Sequence, residues 1–222
     1  MNQGTIFLGG GGDTIASFAF DQYFFSLLPL QARILYIPVA LRRGMRGYES
    51  CFDWFSHLIG EHSQLKNIDF EMMLEDVQIP ALDTYDAVYI GGGNTYHLLR
   101  YLEASGLRQR LITYVYSGGI VYGGSAGAIV LGKDIRTAEE ENDRGSARNE
   151  GLNLLGEKSI YCHYTHSVDS NISRIVEKIS SSVFALPEDS GIVWKNERIE
   201  KVFGEVFLFD SQGKLRIDNY EK

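Results

Sequence analysis

Gly123-Gly124-Ser125-Ala126-Gly127-Ala128 is the most informative stretch of the chain, and apolar residues flank it on both sides. Gly119-Ile120-Val121-Tyr122 precedes it, and Ile129-Val130-Leu131 follows it. This order predicts a strand, a sharp turn and the start of a helix. Small residues around one serine allow the tight turn and leave the hydroxyl exposed at the carboxyl end of the strand, as in the Gly-x-Ser-x-Gly nucleophile elbow.

A second glycine-rich turn, Tyr89-Ile90-Gly91-Gly92-Gly93-Asn94-Thr95, also follows an apolar run. Glycine lets backbone N–H groups approach a ligand because no Cβ stands in the way. An acyl-transfer site needs such donors to stabilise the developing oxyanion. The turn therefore predicts backbone donors near the serine.

Two further segments carry side chains that could activate Ser125. The run Ile160-Tyr161-Cys162-His163-Tyr164 predicts a short strand that carries a histidine, and Ala185-Leu186-Pro187-Glu188-Asp189 places an acid after another apolar run. A free serine hydroxyl is a poor nucleophile at neutral pH and needs a base. His163 is the candidate base, and Glu188 is the candidate acid that orients it.

Together these residues resemble peptidase family S51, which includes aspartyl dipeptidase (peptidase E) and cyanophycinase. The resemblance covers most of the chain and implies a catalytic triad of Ser125, His163 and Glu188. It implies an acyl-enzyme that water releases, and small peptides as substrates, among them dipeptides with an N-terminal aspartate. The implied fold is that of class I glutamine amidotransferase domains, with serine in place of their cysteine.

The resemblance also implies contacts beyond the triad. The oxyanion hole would be made by backbone amides at Gly92 or Gly93 and at Ala126. The candidate substrate-binding residues are Asn94, Thr95, His166 and Arg174.

The chain departs from the family pattern after His163. Aspartyl dipeptidase carries an arginine-bearing insert, Gly-Glu-Thr-Arg-Glu, between its histidine and the next helix. Here the corresponding residues 165–171 form a shorter segment, with no arginine before Arg174. A buried substrate carboxylate needs a cation, which Arg144, Arg148 or Arg174 could supply. All three could instead be solvated surface charges, so the preference for an acidic residue stays open.

Predicted strands alternate with predicted helices, which indicates an α/β fold with right-handed βαβ units. We expect a three-layer αβα sandwich with a mainly parallel central sheet, similar to flavodoxin-like and class I glutamine amidotransferase-like domains, and antiparallel C-terminal strands. No linker divides residues 1–222, so we expect a single domain. Ligands of such sheets bind at the carboxyl ends of the strands. Residues 9–13, residues 91–95, Ser125 and the end of the predicted strand 161–164 should meet there.

Composition narrows the class of protein. The net charge of −8 argues against a nucleic-acid-binding protein, which would present a basic face. No apolar run reaches 18 residues, so we expect no membrane span. The first residues lack the charged region of a secretory signal. The two cysteines are far apart in the sequence, which predicts reduced thiols in a cytoplasmic protein.

The sequence predicts neither a metal nor a cofactor, because no group of His, Cys, Asp and Glu has the spacing of metal ligands. The expected partner is a small peptide substrate. The expected assembly is a monomer or a homodimer.

Rival assignments exist for the base and the acid. His166 lies three residues after His163 and is the other candidate base. The charged stretch 137–149 predicts a surface loop near the site, and charge runs are usually solvated. The acids in or near it that compete with Glu188 are Asp134, Glu139, Glu140 and Glu141. A glutamine-amidotransferase-like amidase and a non-catalytic binding module are the alternative functions.

A third glycine turn, Gly9-Gly10-Gly11-Gly12-Asp13, follows the first predicted strand. It lacks the full spacing of a dinucleotide-binding loop and the Gly-Lys-Ser/Thr of a P-loop. Close packing against the elbow is the first interpretation of this turn, and contact with substrate is the alternative.

Overall fold

The computed structural model describes residues 4–41, 47–62, 66–75, 77–139 and 148–218. The larger of its two sheets contains β1 (Thr5–Gly9), β2 (Gln31–Ile37), β3 (Asn67–Met72), β4 (Ala87–Ile90), β5 (Ile120–Gly124), β8 (Gly191–Lys195) and β9 (Arg198–Phe203). The smaller sheet contains β6 (Ser159–Tyr161), β7 (Val183–Ala185), β10 (Val206–Asp210) and β11 (Gly213–Ile217). The α-helices of the described residues are α1 (Phe18–Leu27), α2 (Glu49–His62), α3 (Thr95–Ala104), α4 (Leu107–Tyr116), α5 (Ala126–Leu131) and α6 (Asp169–Ile179).

The larger sheet has the strand order β3-β2-β4-β5-β1-β8-β9. Its first five strands in this order are parallel, and β8 and β9 are antiparallel at one edge. The central strand β5 lies between β4 and β1, so the carboxyl ends of these three strands lie side by side. Residues that follow them are therefore brought together at one edge of the sheet.

Both faces of the larger sheet are buried. In β1, Ile6 and Leu8 belong to one apolar cluster with residues of α3, α4 and α5, whereas Phe7 belongs to a second cluster with aromatic residues of α1 and α2. Successive side chains of a strand point to opposite faces, so the two clusters lie on opposite sides of the sheet. This is the predicted αβα sandwich, and the α/β fold class is confirmed.

The smaller sheet has the order β11-β10-β7-β6. Strands β6 and β7 are parallel, whereas β10 is antiparallel to both β7 and β11. The apolar residues Ile172, Val176 and Ile179 of α6 form a third buried cluster with side chains of this sheet. One face of the smaller sheet therefore packs against α6, whereas Ile160 and Phe184 on its other face join the cluster that covers the larger sheet.

The prediction that residues 161–164 form a strand is wrong, because only Tyr161 of these residues lies in a strand. Strand β6 ends at Tyr161 and belongs to the smaller sheet. His163 has a φ of 54°, in the left-handed region that a strand does not contain. Its N–H donates to the carbonyl oxygen of Gly10 at 2.9 Å. A contact distant in sequence, which no local pattern shows, therefore ends the strand.

Candidate active site

Ser125 is the single residue between β5 and α5. Its φ of 50° and ψ of −113° lie outside the regions that residues other than glycine ordinarily occupy. A strained strand-to-helix turn of this kind presents the serine side chain at the end of the sheet. Helix and sheet approach closely behind it, since a Cβ on Gly127 would lie 2.2 Å from the carbonyl oxygen of Ile90. The close packing of α5 on β4 therefore requires glycine at position 127, two residues after the serine.

The side chains of Ser125, His163 and Glu188 form a hydrogen-bonded row. Oγ of Ser125 lies 2.8 Å from Nε2 of His163, and Nδ1 of His163 lies 2.9 Å from Oε1 of Glu188. These residues are 38 and 25 positions apart in sequence, so tertiary structure brings them together. In the order hydroxyl, imidazole, carboxylate, the imidazole can take the serine proton and the carboxylate can orient the imidazole.

The row is open to solvent on one side and closed on the other. The side chains of His163 and Glu188 are 45% and 62% exposed. Cys162, the neighbour of His163, is buried, and its Sγ lies 3.7 Å from the carbonyl oxygen of Gly9 and 3.6 Å from that of Ser125. The thiol therefore packs behind the elbow and is not on the open side with the serine hydroxyl.

The glycine turn after β4 lies against Ser125. A Cβ on Gly92 would lie 3.2 Å from Cβ of Ser125, and one on Gly93 would lie 2.4 Å from the carbonyl carbon of Ala40. Outside the helices and strands, the described residues show no backbone hydrogen bond from the N–H of Gly92 or Gly93. Ala126 is the first residue of α5, and the first N–H groups of a helix have no partner within it. Amide donors therefore lie at and beside the serine, as an oxyanion site requires.

Asn94 and Thr95, two candidate substrate-binding residues, lie at the start of α3. The Asn94 side chain accepts a hydrogen bond from the N–H of His97 at 2.8 Å and caps the helix. Thr95 is fully buried. The Asn94 cap holds the glycine turn on the helix that follows it, and the burial of Thr95 withdraws its side chain from solvent.

His166 belongs to a polar cluster on the smaller sheet. Its Nδ1 lies 2.9 Å from the hydroxyl of Tyr164 and 2.9 Å from Nζ of Lys214. Lys214 also donates to Oδ2 of Asp169 at 2.9 Å and to the Tyr164 hydroxyl at 2.6 Å. The sequence analysis missed Lys214, because β11 is largely exposed and carries no motif.

The arginines proposed for substrate recognition have other contacts. Arg174 lies on α6, is exposed, and donates from Nε to the carbonyl oxygen of Ser170 at 3.2 Å. Nη1 of Arg148 lies 3.9 Å from Oε1 of Glu103. The described contacts of neither arginine involve the triad residues.

Two of the competing acids are engaged elsewhere. Glu139 accepts a hydrogen bond from the Tyr161 hydroxyl, and buried Asp134 pairs with Arg136 at 2.5 Å. Three candidates from the sequence lie outside the described residues: Glu140, Glu141 and Arg144.

A buried carboxylate lies beneath the elbow. Oδ1 of Asp21, on α1, accepts a hydrogen bond from the Tyr122 hydroxyl at 2.6 Å, and Oδ2 accepts one from the Ser17 hydroxyl at 2.5 Å. Burial raises the pKa of Asp21 to about 6. In the sequence, the feature that could have indicated this buried carboxylate is a single acidic residue within the aromatic-rich segment of α1.

No three His, Cys, Asp or Glu side chains among the described residues are arranged to hold a metal ion. None of the helices in the described ranges has both the length and the apolar character needed to cross a membrane.

Comparison with known proteins identifies the family. The model of Peptidase family S51 matches residues 6–202. This chain belongs to peptidase family S51. A Streptomyces coelicolor protein named peptidase E is 31% identical over 114 residues, and the match spans 51% of this chain but only 44% of that protein. A protein of the same name from Actinobacillus pleuropneumoniae is 26% identical over 204 residues, or 84% of this chain and 81% of the relative.

Solved structures support the fold assignment. A putative peptidase E from Listeria monocytogenes matches with a TM-score of 0.68 at 18% identity, over 90% of this chain and 98% of that one. A peptidase from an acI-B1 actinobacterium matches with a TM-score of 0.71 at 19% identity, over 99% and 96%. The fold is therefore that of known peptidase E structures, and membership of family S51 supports a peptidase activity.

Proposed function

We propose that this protein is a serine-type peptidase that hydrolyses small peptides through an acyl-enzyme. The observation that carries the proposal is the row from Oγ of Ser125 through His163 to Glu188, with separations of 2.8 Å and 2.9 Å, at a strand-to-helix elbow. A serine becomes an effective nucleophile when a base within hydrogen-bonding reach takes its proton. The family assignment and the geometry therefore support the same reaction class.

In the first step Oγ of Ser125 attacks the peptide carbonyl carbon while its proton moves to Nε2 of His163. The tetrahedral intermediate then collapses, the peptide C–N bond breaks, and the leaving amine takes the proton from Nε2. A water molecule repeats the sequence on the resulting ester and releases the acid, which regenerates the serine hydroxyl. Glu188 accepts a hydrogen bond from the Nδ1–H of His163, which keeps its proton; the carboxylate thereby holds the imidazole in the required tautomer and stabilises its positive charge.

The negative charge of the tetrahedral intermediate needs fixed donors. The amide of Ala126, at the start of α5, and those of Gly92 and Gly93 are the donors that we assign to it. Loss of one such donor typically lowers kcat by about 10²–10³-fold. Because these are backbone groups, side-chain substitution cannot remove them, and the proposal is tested on the triad.

The first experiment uses a fluorophosphonate probe, which reacts with activated serines. We expect the wild-type protein to be labelled and Ser125→Ala to remain unlabelled. Ser117→Ala, at an exposed serine after α4, is the matched control and should label like the wild type. Equal labelling of wild type and Ser125→Ala would exclude Ser125 as the activated nucleophile.

The substrate class is tested with dipeptides, because dipeptides with an N-terminal aspartate are the first class that the family resemblance implies. The kcat/KM values for Asp-Leu, Glu-Leu, Asn-Leu and Ala-Leu should be measured for wild type and for Arg144→Ala, Arg148→Ala and Arg174→Ala. Asp-Leu should be preferred over Asn-Leu if an arginine binds the substrate carboxylate. An equal rate for both would remove the aspartyl preference and leave the serine mechanism in place. Ammonia release from glutamine, without dipeptide cleavage, would favour an amidase.

A further inference from the structure

The glycine turn after β1, residues 9–12, contacts every member of the proposed triad. Three backbone hydrogen bonds make these contacts: Ser125 N–H to Gly9 O at 3.2 Å, His163 N–H to Gly10 O at 2.9 Å, and Gly12 N–H to Glu188 O at 3.2 Å. The side-chain row and the turn therefore run alongside each other and are joined at three points.

The turn also connects the two sheets. Ser125 follows β5 of the larger sheet, whereas His163 and Glu188 follow β6 and β7 of the smaller sheet. Among the described strands, no ladder of hydrogen bonds pairs one sheet with the other. Ile160 and Phe184 of the smaller sheet share a buried apolar cluster with side chains of β1, which packs the two sheets together. Beside the hydrogen-bonded row, the turn adds backbone hydrogen bonds to all three triad segments.

Gly11 lies at the centre of this arrangement. Its φ is 101°, and a Cβ built on it would lie 2.4 Å from Cε1 and 2.7 Å from Nε2 of His163. The same Cβ would lie 3.0 Å from Cβ of Ser125. Nε2 is the imidazole atom that faces the serine hydroxyl. Any side chain at position 11 must therefore displace the ring, the serine or the turn itself.

We propose that the turn of residues 9–12 is the positioning element of the triad, and that Gly11 is the positioning residue that sets the distance between Oγ of Ser125 and Nε2 of His163. The catalytic consequence rests on the proposed serine mechanism. The structural part, contact between position 11 and the imidazole, does not depend on it.

A simpler explanation for Gly11 is that its positive φ alone requires glycine. The chain offers a matched control for that explanation. Gly118 has a φ of 98°, and a Cβ built on it meets no atom within 4 Å. Gly11→Ala and Gly118→Ala therefore impose the same kind of backbone strain, and only Gly11→Ala places a methyl group against His163.

The first test measures the rate of fluorophosphonate labelling. We expect Gly11→Ala to label at least about 100-fold more slowly than wild type, because serine and base act as a unit. Gly118→Ala should stay within about twofold of wild type, since it lies outside the site. Labelling of Gly11→Ala at the wild-type rate, or an equal loss in Gly118→Ala, overturns the proposal. Absence of labelling in the wild type instead counts against the proposed function.

The second test uses thermal stability and needs no activity. Gly11→Ala should lower Tm more than Gly118→Ala does. In the His163→Ala background most of this excess should disappear, because the imidazole is gone and only the 3.0 Å approach to Cβ of Ser125 remains. The proposal is overturned if the excess loss from Gly11→Ala is as large without the imidazole as with it. If Gly11→Ala does not fold, the comparison of Gly11→Ala/His163→Ala with Gly118→Ala/His163→Ala decides, and failure of the first double variant alone overturns the proposal.

Discussion

The larger and the smaller sheet contribute to the proposed active site in different ways. Ser125 is positioned by contiguous sequence, since β5, one strained residue and α5 follow one another directly. His163 and Glu188 follow strands of only three residues, β6 and β7, and their positions depend on contacts with residues 9–12. The nucleophile is thus set by a local motif and the base and acid by tertiary contacts. Substitutions in the larger sheet and in the smaller sheet should therefore affect activity and stability differently.

The largest effect is expected from removing the reacting groups. Ser125→Ala and His163→Ala should each lower kcat by on the order of 10³ or more, because members of a triad act as a unit. Both variants should stay folded, since Ser125→Ala removes one hydroxyl and the His163 side chain is about half exposed. Dipeptide kinetics and a thermal melt measure the two properties.

His166→Ala is the control for this pair and should keep kcat within a few fold of wild type. If His163→Ala keeps its activity while His166→Ala loses it, the base has been assigned to the wrong histidine. The double variant Ser125→Ala/His163→Ala should be no less active than either single variant.

The sequence predicted the larger sheet well, because its parallel strands and the elbow are formed by short contiguous segments. Nearly continuous apolar runs predicted the parallel strands, and small residues predicted the elbow at Ser125. The sequence was a poor guide to the smaller sheet. Strand β11 is mostly exposed and polar, so it gave no apolar alternation, and the left-handed φ of His163 arises from a bond to Gly10 that is remote in sequence.

The polar groups that support the site were the hardest to predict. Asp21 lies in a helix whose aromatic residues predict burial in the core. Its hydrogen-bond partner Tyr122 is 101 residues away in sequence. Lys214 meets Asp169 and Tyr164 across 45 and 50 residues. Pairings of this kind follow from topology, which a single sequence does not specify.

The second largest effect concerns stability on the side of the larger sheet. Burial raises the pKa of Asp21 from its ordinary 3.8 to about 6, so the folded protein keeps a proton that the unfolded chain releases. The contribution of this group to stability is therefore full below about pH 4 and is lost as the pH rises towards 6 and above. The difference amounts to at most roughly 3 kcal/mol.

Asp21→Asn keeps the shape of the side chain and removes the titration. We expect its free energy of unfolding to equal that of the wild type near pH 4 and to exceed it by about 1–3 kcal/mol at pH 7.5. Urea unfolding at several pH values measures the free energy of unfolding of both proteins. The contributions of the other titrating groups cancel in the difference between the two values. A difference that does not change between pH 4 and 7.5 would contradict a buried, proton-binding Asp21.

A smaller effect on activity is expected for the acid of the triad. Glu188→Gln can still accept the Nδ1 hydrogen bond but cannot stabilise the imidazolium charge. Because the Glu188 side chain is 62% exposed, water replaces part of that stabilisation. We therefore expect kcat to fall by about 10–100-fold, which is less than the loss in His163→Ala.

Asp189→Asn and Glu139→Gln are the controls for Glu188→Gln. Asp189 is exposed next to Glu188, and Glu139 contacts Tyr161. Both variants should keep kcat within about twofold of wild type. A reversed ranking, with the larger loss in Glu139→Gln, would move the acid to the segment that follows α5.

The smallest effect is expected for Lys214, and it tests whether the polar cluster on the smaller sheet helps to position His163. Lys214 joins Tyr164, His166 and Asp169, and its ammonium group also lies over the Phe207 ring at 4.4 Å. Lys214→Met keeps the aliphatic stem and removes the charge. We expect a loss of about 1 kcal/mol in the free energy of unfolding, because the ion pair is partly exposed. The kcat should change by less than about threefold, since Tyr164 is buried and His163 is exposed, so their side chains point in different directions.

The matched control is on the larger sheet, where Nζ of Lys201 lies over the rings of Tyr23 and Phe203 at 4.2 Å and 4.8 Å. Lys201→Met should cost no more than about 0.5–1 kcal/mol and leave kcat unchanged, because an exposed cation–π contact contributes little. Urea unfolding and dipeptide kinetics on both variants complete the comparison. A fall in kcat of more than tenfold in Lys214→Met, with none in Lys201→Met, would mean that this cluster, together with the turn of residues 9–12, holds His163 in place. The positioning of the base would then be shared by both sheets.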